Sequence, residues 1–179
     1  MPRRFHDEDI LLPPATLTRR LLAIIYDGLI CIAVLMVTTW LYTLVAAWVM
    51  GFEQYEAKME AGTLEADPVL SSLLFVVLYL FFGYFWTRSG QTLGMQVWRI
   101  RVQNLNGISI SWSQSLKRFM MAAVALFGAL LCLYHWGSWS LIILTPAVGL
   151  VFWPFRGESL VDRVSKTQVV RVPNPDKKK

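Results

Sequence analysis

The sequence predicts an all-α membrane protein: a four-pass helical bundle, both termini in the cytoplasm, with a small cytoplasmic β-hairpin between passes two and three. Long apolar stretches, a one-sided distribution of Lys and Arg, and a local switch to two-residue periodicity each predict a different part of it.

Of 179 residues, 55% are hydrophobic, mean hydropathy is +0.47, and there are 8 Trp and 10 Phe. A core of this size cannot hide so many apolar side chains. A bilayer can, because about 20 consecutive apolar residues in a helix cross its hydrocarbon. Leu21 to Met50 contains a single charge, Asp27, while Val69 to Trp86 and Phe119 to Phe155 contain none. As one straight helix the last stretch would span about 55 Å against a hydrocarbon core of about 30 Å. It therefore divides near His135, Trp136, Gly137 and Ser138, and the expected passes are 21–50, 69–86, 119–134 and 139–155. The last two are short and Pro146 interrupts the second, so a re-entrant or surface-lying pair is the alternative there. The first stretch starts late and is far longer than the 7–15 or so residues of a signal-peptide core, so it is expected to be retained as an anchor.

Charge sets the orientation, since cytoplasmic flanks collect Lys and Arg. Arg3, Arg4, Arg19 and Arg20 precede pass one; Arg88, Arg99, Arg101, Lys117 and Arg118 lie between passes two and three; Arg156, Arg163, Lys166, Arg171, Lys177, Lys178 and Lys179 follow pass four. The first outer loop has only Lys58, beside Glu53, Glu56, Glu60, Glu65 and Asp67. Sixteen of the 17 basic residues thus share one side. The same bias argues against a dimer of oppositely inserted copies.

After pass two the periodicity changes. Trp98, Ile100 and Val102 alternate with Arg99, Arg101 and Gln103, Asn106-Gly107 supplies a turn, and Ile108 and Ile110 alternate with Ser109 and Ser111. This is the pattern of a β-hairpin, whose apolar face either the bilayer surface or the run Thr167 to Val172 could cover, and Val97 to Ser111 is expected to pair or pack with that run. Ser113 is the expected N-cap of the helix entering pass three. Residues 1–19 form a cytoplasmic arm, 20–172 the membrane domain, and 173–179, with two prolines and three lysines, a disordered basic tail.

Asp27 is the outlier, because a carboxylate deep in a membrane helix costs roughly 2.5–3.5 kcal/mol even on the lenient insertion scale. Arg20, seven residues earlier, projects from the same face about 10.5 Å away along the axis. Two readings stand side by side: a functional ion or proton site, or a structural ion pair at the interface. Gly90-Gln91-Thr92-Leu93-Gly94 lacks the Lys-Ser/Thr of a phosphate loop and is expected to turn the chain tightly back toward the membrane surface. Ser159 and Asp162 have capping spacing. Cys31 and Cys132 lie in apolar segments as small buried hydrophobes. No H-E-x-x-H, paired-Cys or G-x-S-x-G pattern occurs, so neither enzyme activity nor a metal or other cofactor is expected. The expected partners are the lipid bilayer, anionic head groups on the basic face and further copies of the chain, and no nucleic acid.

These residues resemble the RDD family, named for one arginine and two aspartates. Arg20 through Asp27-Gly28, the Gly90-x-Thr92-x-Gly94 segment leading to a basic strand, and Leu160, Asp162 and Thr167-Gln168-Val169-Val170 are similar to its three motifs in order. Met95 departs from the lysine or arginine usual after the second glycine, and many relatives show only two or three clear passes. The resemblance implies a bacterial inner-membrane protein, with transport suggested for the family and sodium/proton antiport for some members. Transport of a small cation or proton through Asp27 is one expectation. The other is a non-transport adaptor or assembly factor in which Arg20, Asp27 and Asp162 lock helix ends together. In either case Arg20, Asp27, the Gly90–Gly94 segment and Asp162 are expected to converge in one network at the cytoplasmic end, Asp27 taking donors from Arg20, Thr92 or the amides beside Gly94 and Asp162 holding Arg20 or Arg118.

Overall fold

The computed structural model describes residues 5, 12–62, 67–137 and 158–173. Within these, helices α1 (Leu17–Met50), α2 (Phe52–Glu60), α3 (Pro68–Arg88), α4 (Leu93–Val97), α5 (Trp112–Trp136) and α6 (Leu160–Ser165) are joined by strands β1 (Ile100–Asn104) and β2 (Thr167–Arg171). Three of the helices, α1, α3 and α5, are long and apolar enough to cross a membrane. Predicted pass four, 139–155, most of the N-terminal arm and the end of the basic tail lie outside the described residues. Pass three is longer than the sequence suggested. At 25 residues α5 reaches about 37 Å, enough for the hydrocarbon core.

The chain divides into two compact units, Met1–Asp27 with Phe82–Lys179, and Gly28–Phe81. In the second unit the helical surface is apolar and open, with Ile32, Met36, Trp40 and Val76 all exposed. Here α3 starts on Pro68, suited to a first helical position, and Asp67 caps it by accepting from Val69 N at 2.8 Å. The Tyr42 hydroxyl also donates to Asp67 and holds that carboxyl below the usual carboxylate range.

The first unit is built around the sheet. β1 pairs antiparallel with β2, Val102 opposite Val169 and Asn104 opposite Thr167. Pro14 bridges to Val170 on the other edge of β2, and Ala15 N donates to Val169 O at 2.9 Å. Ile100, Val102, Ile110, Val161, Val169 and Val170 are among its buried apolar residues. The predicted hairpin is corrected by this pairing. Gly107, at φ 73°, does make the turn, and Asn104 N donates to Ile108 O at 2.8 Å. The local ladder then stops, because Ser111 already caps α5 and leaves too few residues for a second strand; the C-terminal run, expected to pair or pack with this segment, supplies the partner strand. The cap itself falls at Ser111, not Ser113, since Ser111 completes a capping box with Gln114.

Candidate functional site

Asp162 enters the first unit as the third residue of α6, where its carboxylate accepts from Ser159 N at 3.1 Å and its own amide donates to the Ser159 hydroxyl. The capping expectation is therefore met, yet capping is the lesser part of its environment. Oδ2 accepts from Arg20 Nη1 at 2.7 Å and Oδ1 from Arg118 Nη1 at 2.7 Å. Both arginine side chains are at most 9% exposed and Asp162 is fully covered. Arg20 further donates Nε to Ala15 O at 3.2 Å and Nη2 to Val169 O at 3.4 Å. Arg118 donates to the Thr167 hydroxyl, which lies 2.7 Å from Ser165 Oγ, and its guanidinium carbon stands 5.6 Å from the Trp86 ring centroid. Burial alone would push the Asp162 carboxyl up; the Arg118 and Arg20 guanidiniums more than offset it and hold the group below the usual carboxylate range. Two helices, a capping turn, the N-terminal arm and a strand thus meet on one carboxylate.

Asp27 sits elsewhere on α1. Its Oδ1 accepts from Gly94 N at 2.8 Å and its Oδ2 from the Thr92 hydroxyl. Thr92 is the N-cap of α4, and its Oγ1 also accepts from Met95 N at 3.3 Å. The two glycines make this approach feasible. A Cβ on Gly94 would lie 2.5 Å from Ala23 O and 2.9 Å from the Asp27 carboxyl carbon. Gly90, at φ 71°, places its carbonyl to accept from Val102 N at 2.8 Å, and a Cβ there would meet Val102 O at 2.6 Å. The predicted tight turn is real, and it delivers donors to Asp27.

The six residues singled out in the sequence therefore fall into two nodes, Arg20 with Asp162, and Asp27 with Gly90, Thr92 and Gly94. An ion pair between Arg20 and Asp27 does not form. Seven residues of helix put them on one face but about 10.5 Å apart, beyond contact, so each takes a partner from another element. Arg118, which the sequence offered beside Arg20 as a holder of Asp162, forms the second arm of the Asp162 node, and Thr167, Ser165 and Trp86 complete it.

A model of the RDD family matches residues 14–166. The chain belongs to the RDD family. With three helices of spanning length and composition, this RDD chain is a membrane protein. The match takes in Arg20, Asp27, the Gly90–Gly94 segment, Arg118 and Asp162, whereas Thr167, where β2 begins, lies just after it. No curated protein and no solved structure matches the chain.

Proposed function

We propose that this RDD protein is a non-transport membrane adaptor or assembly module, and that its Arg and Asp residues form the structural lock that holds its water-facing side rigid. The observation that carries this is the Asp162 carboxylate, committed to Arg20 and Arg118 with each oxygen engaged. An ion-binding carboxylate needs a free oxygen; this one joins elements 142 positions apart. In this reading the lock lies at the cytoplasmic face of a bacterial inner membrane, where the basic flanks meet anionic head groups. β1 and β2 flank α5 and pair with each other, which supports an even number of crossings between them and hence the four-pass arrangement. No catalytic step is assigned to the chain.

A second reading rests on Asp27. Among the described residues it has no arginine partner, and its donors, a hydroxyl and an amide, are neutral. Such a carboxyl could carry a proton or small cation, in a conduit formed by several copies.

A double-mutant cycle and a flux assay separate the two. Under the lock, Arg20→Gln and Asp162→Asn couple by about 1–3 kcal/mol in stability, whereas Arg20→Gln and Asp27→Asn add to within about 0.5 kcal/mol. Vesicles holding the purified wild-type protein then show no ion flux above empty ones. Flux that disappears in Asp27→Asn at unchanged stability would replace the lock with the transport reading.

A further inference from the structure

Hydrogen bonding leaves one part of the first unit incomplete. Among the described residues, three buried polar atoms around Arg118 make no hydrogen bond: its own Nε, the Trp86 indole Nε1 and the Ser115 hydroxyl. The first two can only donate, and a hydroxyl can turn to donate. Ser115 lies one turn before Arg118 on the same face of α5, and the Arg118 guanidinium lies over the Trp86 ring. Ser115 is also the fourth residue of α5, near the positive end of that long helix. Arg118 has to share the Asp162 carboxylate with Arg20, so its own charge is only partly offset there. Exposures of 0% for Ser115, 6% for Arg118 and 8% for Trp86 keep bulk water from serving as the acceptor.

A buried donor with no acceptor bears its full desolvation cost, and a buried charge that is incompletely offset bears more. One kind of ligand relieves both. It must accept without donating, carry one negative charge and be small enough for residues that are all more than nine-tenths buried. We propose that Trp86, Ser115 and Arg118 form a buried site for a small monovalent anion, chloride by size and charge. Water fits less well, since it brings two donors of its own and no charge to set against the guanidinium. Phosphate and carboxylate bring a polyatomic body into the same tight surroundings. The site goes beyond the lock because it uses Arg118 Nε, whereas the ion pair with Asp162 uses Nη1. It takes a ligand of opposite sign to the one Asp27 would take.

Thermal melting of the full chain in detergent, in chloride against gluconate at one ionic strength, tests this while holding general screening constant. The expected result is a melting temperature that rises with chloride along a saturable curve. Ser115→Ala removes one donor with little loss of packing, and Trp86→Phe removes another while keeping an aromatic ring beside Arg118. Each should weaken apparent chloride affinity about tenfold; Ser115→Ala should do so without lowering the melting temperature in gluconate, because the lost donor had no partner there. Crystals of the wild-type protein grown with bromide should show an anomalous peak within hydrogen-bond reach of Arg118 Nε. Equal melting in chloride and gluconate, an undiminished chloride response in the double variant, or a neutral water in place of the bromide peak would each overturn the proposal.

Discussion

Asp162 accepts from two arginines on different helices, so removing its charge strands both of them under cover. Asp162→Asn keeps the shape and loses the charge, and breaking a buried pair in this way costs about 3–5 kcal/mol. Chemical unfolding in detergent should show a drop of that order. Linkage adds a second signature. The folded carboxyl titrates below its ordinary value of 3.8, so its contribution is fully present above that pH and is lost as pH falls through the lower folded value. The wild type should accordingly lose stability on acidification below about pH 4 more steeply than Asp162→Asn, and parallel acid limbs would argue that the ion pairs are idle. At this scale the sequence revealed which residues matter and offered their partners, Thr92 or the amides beside Gly94 for Asp27 and Arg20 or Arg118 for Asp162, but it joined in one network what are two nodes. Arg20, Asp27 and Asp162 stand out as charges in or beside apolar runs, and Thr92, Gly90 and Gly94 as a compact motif. Their pairing depends on elements far apart in the chain, and the seven-residue spacing on α1 pointed to the wrong partner.

Helix α4 is only five residues long and makes its place by contact with α1, not by its own propensity. Gly94 is where the two backbones approach. Gly94→Ala forces a methyl against Ala23 O and Asp27 and should cost about 1–3 kcal/mol, as overpacking does. A methyl added at Gly28, in the middle of α1, would have no neighbour within 4 Å, so Gly28→Ala should instead gain roughly 0.5–1 kcal/mol from the helical preference of alanine. Melting temperatures of the two variants moving in the same direction would reject this account of the α1–α4 contact. Elements of this kind were unevenly legible. The three long helices follow from apolar run length alone. β1 also follows from its alternation, and its contact with the run from Thr167 was foreseen, but the second strand expected at Ile108 to Ser111 does not form because the turn at Asn106-Gly107 only imitates a hairpin. The α5 cap was misplaced by two residues because Ser111 and Ser113 both qualify until Gln114 decides between them.

Over the whole molecule, burial is inverted relative to a water-soluble protein. Large apolar side chains such as Ile25, Leu29, Met36, Trp40 and Leu126 are exposed, while Arg, Asp, Thr, Ser and Gln fill much of the covered interior of the first unit. Lipid is the solvent that makes this arrangement favourable along the long helices. The sidedness read from charge carries a direct test. In a background lacking Cys31 and Cys132, a cysteine at Glu60 should react with an impermeant maleimide in intact cells, and cysteines at Asn106 and Arg171 only after permeabilisation. Reaction of Asn106 from outside would reverse the orientation.

The Asp162 node also has a consequence in time. Arg20 leaves the ribosome early and Arg118 well after it, but the carboxylate they share arrives only with α6, and the strand beside it later still. Until then two arginines sit at the ends of helices already entering the membrane, without the carboxylate that will join them. The last described segment of the chain therefore does more than add a strand. It brings the carboxylate on which Arg20 and Arg118 close.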